Sequence, residues 1–380
     1  MQNQVNKYLG KLINHGLVEG PGDAELYGLD DEIYSNRDQV PEKVRAVFDA
    51  LNINSLLIAL PEPVRWSIIS ELLRGNPDVI SPTDSESLTF IHDIPVIGSF
   101  DPGAIACALN RRKGCIVKDR GIVSFGTVSL EQAFVVMSSI CFATFVKYFT
   151  DIINGLHGFR GMPRPTSLQI DTCQEFLTRI TPYKPSSPLS PIPPADEAGI
   201  IKAMDAAGKA MVHAHLVDSF FGNISLRLGD VIYISQTGSS LDELPGRIDR
   251  VPLDGSSTCE ITSSSELSAH VKIYELSNDR AILHGHPRFS VIMSMFGEPF
   301  KFGETRHIGG IPVVAGEVGA GRKGLVHTLP QAMLKDHAAI VHGHGVFVGS
   351  AHTFHEAYEK VSSIETGCFE LYKEALKSGA

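Results

Sequence analysis

The sequence predicts an α/β fold of the layered α+β kind, built as two domains that each carry a central β-sheet flanked by helices. Three observations predict it. Helical and strand-like periodicities alternate along the chain. A proline-rich stretch interrupts the middle of the chain, and the two halves repeat one another at a fixed offset.

The alternation is plainest near the start. Residues 41–51 and 63–73 place apolar side chains at helical spacing, each opened by a proline. Proline suits the first helical turn, where its missing N–H would have no partner anyway. Between them Ser55-Leu56-Leu57-Ile58-Ala59-Leu60 is a short continuous apolar run, which reads as a buried strand. Gly75-Asn76-Pro77 and Ser81-Pro82-Thr83-Asp84 read as turns.

Residues 181–194 contain six prolines, which rule out regular helix and suit an extended, semi-rigid connector. The expected organisation is therefore a first domain over 1–180, a linker over 181–195 and a second domain over 196–380. Sliding the chain by 224 residues aligns 116–148 with 340–372 without a gap. Nine of those 33 positions are identical, where roughly two would agree by chance at ordinary residue frequencies. Among them are Gly121 with Gly345, Ala133 with Ala357, Ser138-Ser139-Ile140 with Ser362-Ser363-Ile364, and Tyr148 with Tyr372. Ile94-Pro95-Val96 and Ile311-Pro312-Val313 extend the echo upstream. A tandem duplication accounts for this pattern. In that register Arg120 stands opposite His344, and the first half contains no His-x-His, so the first copy is expected to be degenerate and without metal ligands. Its helix over 132–143 is apolar on all sides, unlike its counterpart near 356–367, and should be covered by the other domain or by a second chain.

A net charge of -10 and the lack of any Lys/Arg block argue against nucleic-acid binding. The N-terminus has no apolar signal core, and no stretch reads as about 20 apolar residues able to span a bilayer, so no membrane association and a cytoplasmic location are expected. The six cysteines are scattered, mostly in apolar neighbourhoods, and read as core residues rather than as a disulfide framework.

Chemistry concentrates between Ser264 and Pro287. Glu266 supplies a carboxylate, and His284-Gly285-His286 follows the apolar run Ala281-Ile282-Leu283. On a strand, residues two apart share a face, so both imidazoles would point into one space. Two other His-x-His pairs occur. His213 and His215 belong to a helical stretch, where such residues do not face each other. His342 and His344 sit in the apolar run 338–348, which reads as a buried partner strand, and spacing alone does not choose between them.

Taken in order, Gly222-Asn223-Ile224-Ser225-Leu226-Arg227, Gln236-Thr237-Gly238, Ser264-Ser265-Glu266 with His270, His284-Gly285-His286-Pro287, and His344-Gly345 followed by Glu356-Ala357 resemble the motif set of the class II aldolase/adducin family over about 200–376. The resemblance implies that both domains are class II aldolase-like. It implies a divalent metal held by His284, His286 and His344, usually Zn2+, with Mn2+, Co2+ or Fe2+ as alternatives. It gives Glu266 the acid/base role and assigns phosphate or substrate binding to Gly222, Asn223, Thr237, Gly238, Ser264 and Ser265, with His270 in support. The implied function is a metal-dependent lyase of carbohydrate metabolism. It would cleave or form a carbon–carbon bond in a small, phosphorylated hydroxycarbonyl compound through a metal-stabilised enediolate. A decarboxylase, epimerase or dehydratase of the same metal type is the nearest alternative, and a non-catalytic adducin-like interaction protein is the alternative of another class. The family's aldolases draw tyrosines from the region after the His-x-His and from the C-terminal tail. Between Pro287 and Gly345 this chain has no tyrosine, only Phe289, Phe296, Phe300 and Phe302 among its aromatics, so a proton donor would come from His307, Arg306 or Tyr372. The family's usual ring of four implies a homo-oligomer in which two duplicated chains form a pseudo-tetramer, or a higher assembly.

Overall fold

The computed structural model describes residues 1–180, 187–217, 220–256, 261–317 and 321–379. The chain forms two compact units, Met1–Phe149 and Thr150–Ala380, both of mixed α/β structure.

In the first unit α1 (Gln2–Asn14) leads into β1 (Ala24–Leu29), β2 (Ile33–Ser35), α2 (Glu42–Ala50), β3 (Ser55–Ala59), α3 (Pro63–Leu72), β4 (Val79–Ile80), α4 (Ser85–Phe90), β5 (Ile94–Ile97), α5 (Pro102–Leu109), β6 (Gly114–Val117) and β7 (Gly121–Gly126). The long helix α6 (Leu130–Leu156) starts in this unit and ends in the second. The two helices and the strand expected over 41–73 appear as α2, β3 and α3. Proline opens α3, and the Glu62 carboxylate just before it accepts the N–H groups of Val64 and Arg65. That satisfies donors that a helix start otherwise leaves unpaired.

The second unit continues with α7 (Ser167–Arg179), α8 (Glu197–His213), β8 (Asn223–Leu228), β9 (Val231–Ser235), β10 (Ile248–Pro252), α9 (Leu267–Leu276), β11 (Ala281–Gly285), α10 (Arg288–Ser294), β12 (Thr305–Ile308), β13 (Ile311–Val314), α11 (Leu329–Asp336), β14 (Ala338–Val341), β15 (Gly345–Ser350) and α12 (Phe354–Gly379). It therefore begins upstream of the proline-rich stretch. Of that stretch, residues 181–186 lie outside the described residues, and 187–195 contain no helix or strand.

The sheets are ordered β2-β1-β3-β7-β6-β5-β4 and β10-β9-β8-β11-β15-β14-β13-β12. With β10 set aside, the two orders superpose strand for strand. The sense of pairing agrees throughout, including one parallel pair in each sheet, β5 with β6 and β13 with β14. Parallel neighbours need a crossover, and α5 and α11 supply it. The register agrees as well. Ile116 lies opposite Ile122 as Ile340 lies opposite Val346, and Ser55 opposite Gly126 as Ala281 lies opposite Ser350. Following the ladders outward, Glu25, Ile58, Leu60 and Arg120 take the positions of Asn223, His284, His286 and His344. Ile58 fills the first unit's apolar core with Leu56, Val117 and Val123, and Arg120 makes an ion pair with Glu25.

The sequence expectation about apolar length needs correction. α6 is long and apolar enough to cross a membrane by length and composition, with a mean hydropathy of 1.6 over its best window, yet 89% of that window is buried. Charges at Glu131, Lys147 and Asp151 break up the apolar run in sequence, and the residues around them are apolar enough to keep the mean hydropathy high. Its burial is the behaviour of a core helix.

Close backbone approach at Gly121 and Gly345 anchors both sheets. A Cβ at Gly345 would lie 2.3 Å from the Gly285 carbonyl oxygen, and one at Gly121, where φ is +119°, would lie 2.2 Å from that of Ala59. Gly345→Ala and Gly121→Ala are each expected to destabilise their own unit by about 2 kcal/mol or more, because two backbones must separate. Urea denaturation followed by circular dichroism reads this, and unchanged midpoints would refute the close approach.

Candidate metal centre

β11 pairs with β8 on one side and β15 on the other, which sets His284 opposite both Asn223 and Phe347. The His284 ring stacks on the Phe347 ring at 3.9 Å between centroids. Its Nδ1 lies 3.1 Å from the Val346 carbonyl oxygen, an acceptor, so the proton sits on Nδ1 and the Nε2 lone pair is left free. His286 follows the end of the strand and opens toward α10. The first turn of α10 is held by the Glu365 carboxylate of α12, which accepts the N–H groups of Phe289 and Ser290, each at 2.8 Å, and the Ser290 hydroxyl at 2.7 Å.

The expected strand through His342 and His344 is instead a turn. β14 stops at Val341 and β15 begins at Gly345, with Gly343 at φ +63° between the two histidines. The Gly343 N–H donates to Ser294 Oγ at 2.9 Å. Because the chain reverses here, the two rings part instead of sharing a strand face. His344 joins His284 and His286, while His342 stacks on Phe300 at 5.2 Å. His213 is the last residue of α8, and His215 lies beyond it at φ +54°.

One ligand nitrogen from each of His284, His286 and His344 lies within 4.8 Å of the other two. The Nε2 atoms of His284 and His286 are 3.1 Å apart, against about 3.3 Å for two nitrogens bound to one tetrahedral zinc. Glu266, at the start of α9, places Oε2 3.3 Å from His284 Nε2 and Oε1 3.3 Å from His344 Nε2. All four side chains are 6% exposed or less. Burial pushes the pKa of His284 down to about 4 and that of His286 well below its usual value, so both rings are neutral near pH 7. Burial would raise the Glu266 carboxyl, but the neighbouring His284 and His344 and the Asn223 amide outweigh it and hold the group well below the usual carboxylate range. Three clustered imidazoles, two of them neutral, beside an anion make a donor set suited to a divalent cation.

The other residues singled out by the sequence lie around Glu266. The Asn223 side chain donates from Nδ2 to Glu266 Oε2 at 2.6 Å and accepts at Oδ1 from His270 Nε2 at 2.6 Å, so its amide is already committed. An isolated β-bridge joins Gln236 to Ser263, next to Thr237 and Ser264, and the Thr237 N–H donates to the Thr262 carbonyl at 2.9 Å. Ser264 Oγ accepts the Glu266 N–H at 3.3 Å. Thr237, Gly238 and Ser265 are exposed. Sequence reasoning missed Asp249, a buried carboxylate that ties these turns together by accepting from Gln236, Thr262 and Ser263. It also missed Ser225 and Tyr274, although their spacing from Asn223 and from Glu266 carried the signal. Of the proposed proton donors, Arg306 donates to the carbonyls of Glu298 and Pro299, Tyr372 is buried with its hydroxyl 3.6 Å from Cys173 Sγ, and His307 is exposed.

The Class II Aldolase and Adducin N-terminal domain family matches residues 202–372. Among solved structures, L-fuculose-1-phosphate aldolase from Thermus thermophilus is similar at 24% identity and a TM-score of 0.42, over 49% of this chain and 99% of its own. The YgbL protein of Klebsiella pneumoniae is similar at 19% identity and a TM-score of 0.42, over 49% and 100%. A sugar-phosphate aldolase from Thermotoga maritima is similar at 18% identity and a TM-score of 0.37, over 48% and 97%. No curated protein sequence matches the chain.

Burial also sets the pH response. His270, brought down to about 3, and His284, to about 4, both by burial first of all, remain uncharged when folded. In the unfolded chain each takes up a proton near pH 6.5. The unfolded state then binds more protons, so stability is full above about pH 6.5 and falls as the pH drops toward 4. The metal-free protein should lose on the order of 2 kcal/mol per such histidine between pH 6.5 and 5. Urea midpoints at pH 7.5 and 5.0 read the loss, and a flat profile would place these rings in solvent.

Proposed function

Since residues 202–372 match the Class II Aldolase and Adducin N-terminal domain family, we propose that the second unit is an aldolase-type lyase. Its substrate is a small, phosphorylated hydroxycarbonyl compound. Its divalent metal is held by His284, His286 and His344, and Glu266 is its acid/base. The observation that carries this reading is the convergence of three buried imidazoles, two of them held neutral, on a carboxylate 3.3 Å from two of them. A bound divalent cation, most simply Zn2+, supplies Lewis acidity toward a carbonyl oxygen and its adjacent hydroxyl.

The chain's own residues do the rest. Glu266 enters as the anion, with Oε2 fixed by Asn223 and Oε1 on the His344 side, and takes a proton from the substrate as the carbon–carbon bond changes. Thr237, Gly238, Ser264 and Ser265, with the backbone at Gly222 and Asn223, offer N–H and hydroxyl groups to a phosphate without any lysine. Burial of the four central side chains keeps bulk water from the proton transfer.

A decarboxylase, epimerase or dehydratase of the same metal type is the second reading. It is favoured by the absence of tyrosine between Pro287 and Gly345 and by the engagement of Tyr372 with Cys173, since both remove the expected hydroxyl donor. The first unit is proposed to be the degenerate copy, with a supporting rather than a catalytic role, because Ile58, Leu60 and the Arg120–Glu25 pair stand where the second unit has its histidines and Asn223. Two such chains would make a pseudo-tetramer. A monomer by light scattering that is fully active would remove the assembly.

Metal analysis by mass spectrometry, on protein purified without added metal, tests the central claim. About one zinc, manganese, cobalt or iron per chain is expected, and a His284→Ala/His344→Ala variant should lose it. Glu266→Gln should retain the metal while turnover falls by roughly 10²–10⁴-fold. Absence of metal in the unmodified protein, with none taken up on addition, would overturn the lyase readings together.

A further inference from the structure

Glu266, His270 and Tyr274 recur every fourth residue from the start of α9 and so share one face, while Asn223 and Ser225 alternate on one face of β8. Where these two faces meet, they form an unbroken chain of buried hydrogen bonds. Tyr274 OH lies 2.7 Å from Ser225 Oγ, which lies 2.7 Å from His270 Nδ1. His270 Nε2 lies 2.6 Å from Asn223 Oδ1, and Asn223 Nδ2 lies 2.6 Å from Glu266 Oε2. The four residues that lead to the carboxylate are 5% exposed or less.

We propose that Tyr274, Ser225, His270 and Asn223 form a hydrogen-bond chain of a single polarity that positions the Glu266 carboxylate for proton transfer. The direction follows from the chemistry of each group. An ionised Glu266 only accepts, so the Asn223 amide nitrogen donates to it and the Asn223 oxygen must accept. The His270 Nε2 therefore carries the ring proton. In a neutral ring Nδ1 then accepts from the Ser225 hydroxyl, whose oxygen in turn accepts from Tyr274 at 2.7 Å, a shorter contact than the 3.4 Å from Tyr274 OH to the Arg280 carbonyl. Four donors in succession point toward one carboxylate oxygen and fix its orientation, with Oε1 on the His344 side.

Two further observations point the same way. The His270 ring packs edge-on against Phe347, 5.8 Å between centroids, and Phe347 stacks on His284, so the chain also braces the histidine wall of the site. In the first unit the positions of Asn223 and Ser225 are held by Glu25 and Tyr27, which bond directly to each other at 2.7 Å, and Glu25 turns to Arg120. The chain is thus rewired in the copy whose histidine positions are occupied by Ile58, Leu60 and Arg120.

This inference rests on the acid/base role proposed for Glu266, and two measurements keep the two failures apart. The first uses the zinc-loaded protein and reads the His270 tautomer from long-range 1H–15N spectra at pH 7. A proton on Nε2 alone is expected, and a proton on Nδ1 would overturn the polarity. The second measures deuterium exchange into dihydroxyacetone phosphate, a small phosphorylated hydroxyketone, by zinc-loaded wild type, His270→Ala and Tyr274→Phe. His270→Ala should keep one zinc per chain and a KM within about twofold, lose about 10- to 100-fold in kcat, and regain part of it with added imidazole. Tyr274→Phe, nearly isosteric and so safe for folding, should lose a few-fold. Wild-type kcat in both zinc-loaded variants would overturn the positioning role. If wild type itself exchanges no deuterium, the proposed function fails for this substrate, while a proton on His270 Nε2 still upholds the chain and one on Nδ1 overturns it.

Discussion

Pairing of β11 on both edges is the constraint on which the second unit depends. A strand with two neighbours has no freedom of register, and a slip by one residue would turn every side chain to the opposite face. His284 is thereby set opposite Asn223 on one side and Phe347 on the other. Everything that meets at the site arrives through these neighbours. β8 brings Asn223 and Ser225, and β15 brings Phe347 with the turn that carries His344. α9, packed across β8, brings Glu266 and His270.

Such a site is costly to hold without its ion. An ionised carboxylate and three imidazoles are removed from water, and burial alone would neutralise the acid. The fold offsets this with the neighbouring His284 and His344 and with the Asn223 amide, which together hold Glu266 ionised. Asn223 is the connecting group. Its amide can donate to the anion and accept from His270 at once, which an aspartate or a leucine of similar size could not do. The exposed turns at Thr237, Gly238 and Ser265 lie beside this dry interior, and the Asp249 carboxylate ties Gln236, Thr262 and Ser263 at their base.

Much of this could be read from the residues. Apolar runs of strand length, such as 55–60 and 281–283, announce central strands because both faces are covered and no alternation is needed. Histidines on either side of a glycine at the end of such a run were legible for the same reason. The turn at His342-Gly343-His344 was not, because Val341 and Gly345 continue the apolar pattern on both sides and only the positive φ at Gly343 breaks it. α6 was underestimated because Glu131, Lys147 and Asp151 interrupt a window whose mean hydropathy stays high. The Tyr274–Ser225–His270 chain needed two periodicities combined, four on α9 and two on β8, and a sequence does not say which helix lies on which strand.

The internal repeat adds a comparison that a single domain could not supply. Two sheets of one topology share their register closely enough to be read position against position. Where the second sheet has His284, the first has Ile58 within an apolar core, and where the second has His344 and Asn223 the first has the Arg120–Glu25 pair. The replacements are coupled. An arginine at position 120 beside an asparagine at position 25 would lack its counter-charge, and a glutamate at position 25 without that arginine would be a half-buried anion held by Tyr27 alone. The glycines at Gly121 and Gly345 stay the same, because both sheets need two backbones to pass at the same distance whatever the neighbouring side chains do. What the two sheets share is therefore what the sheet requires, and what they do not share marks the candidate site.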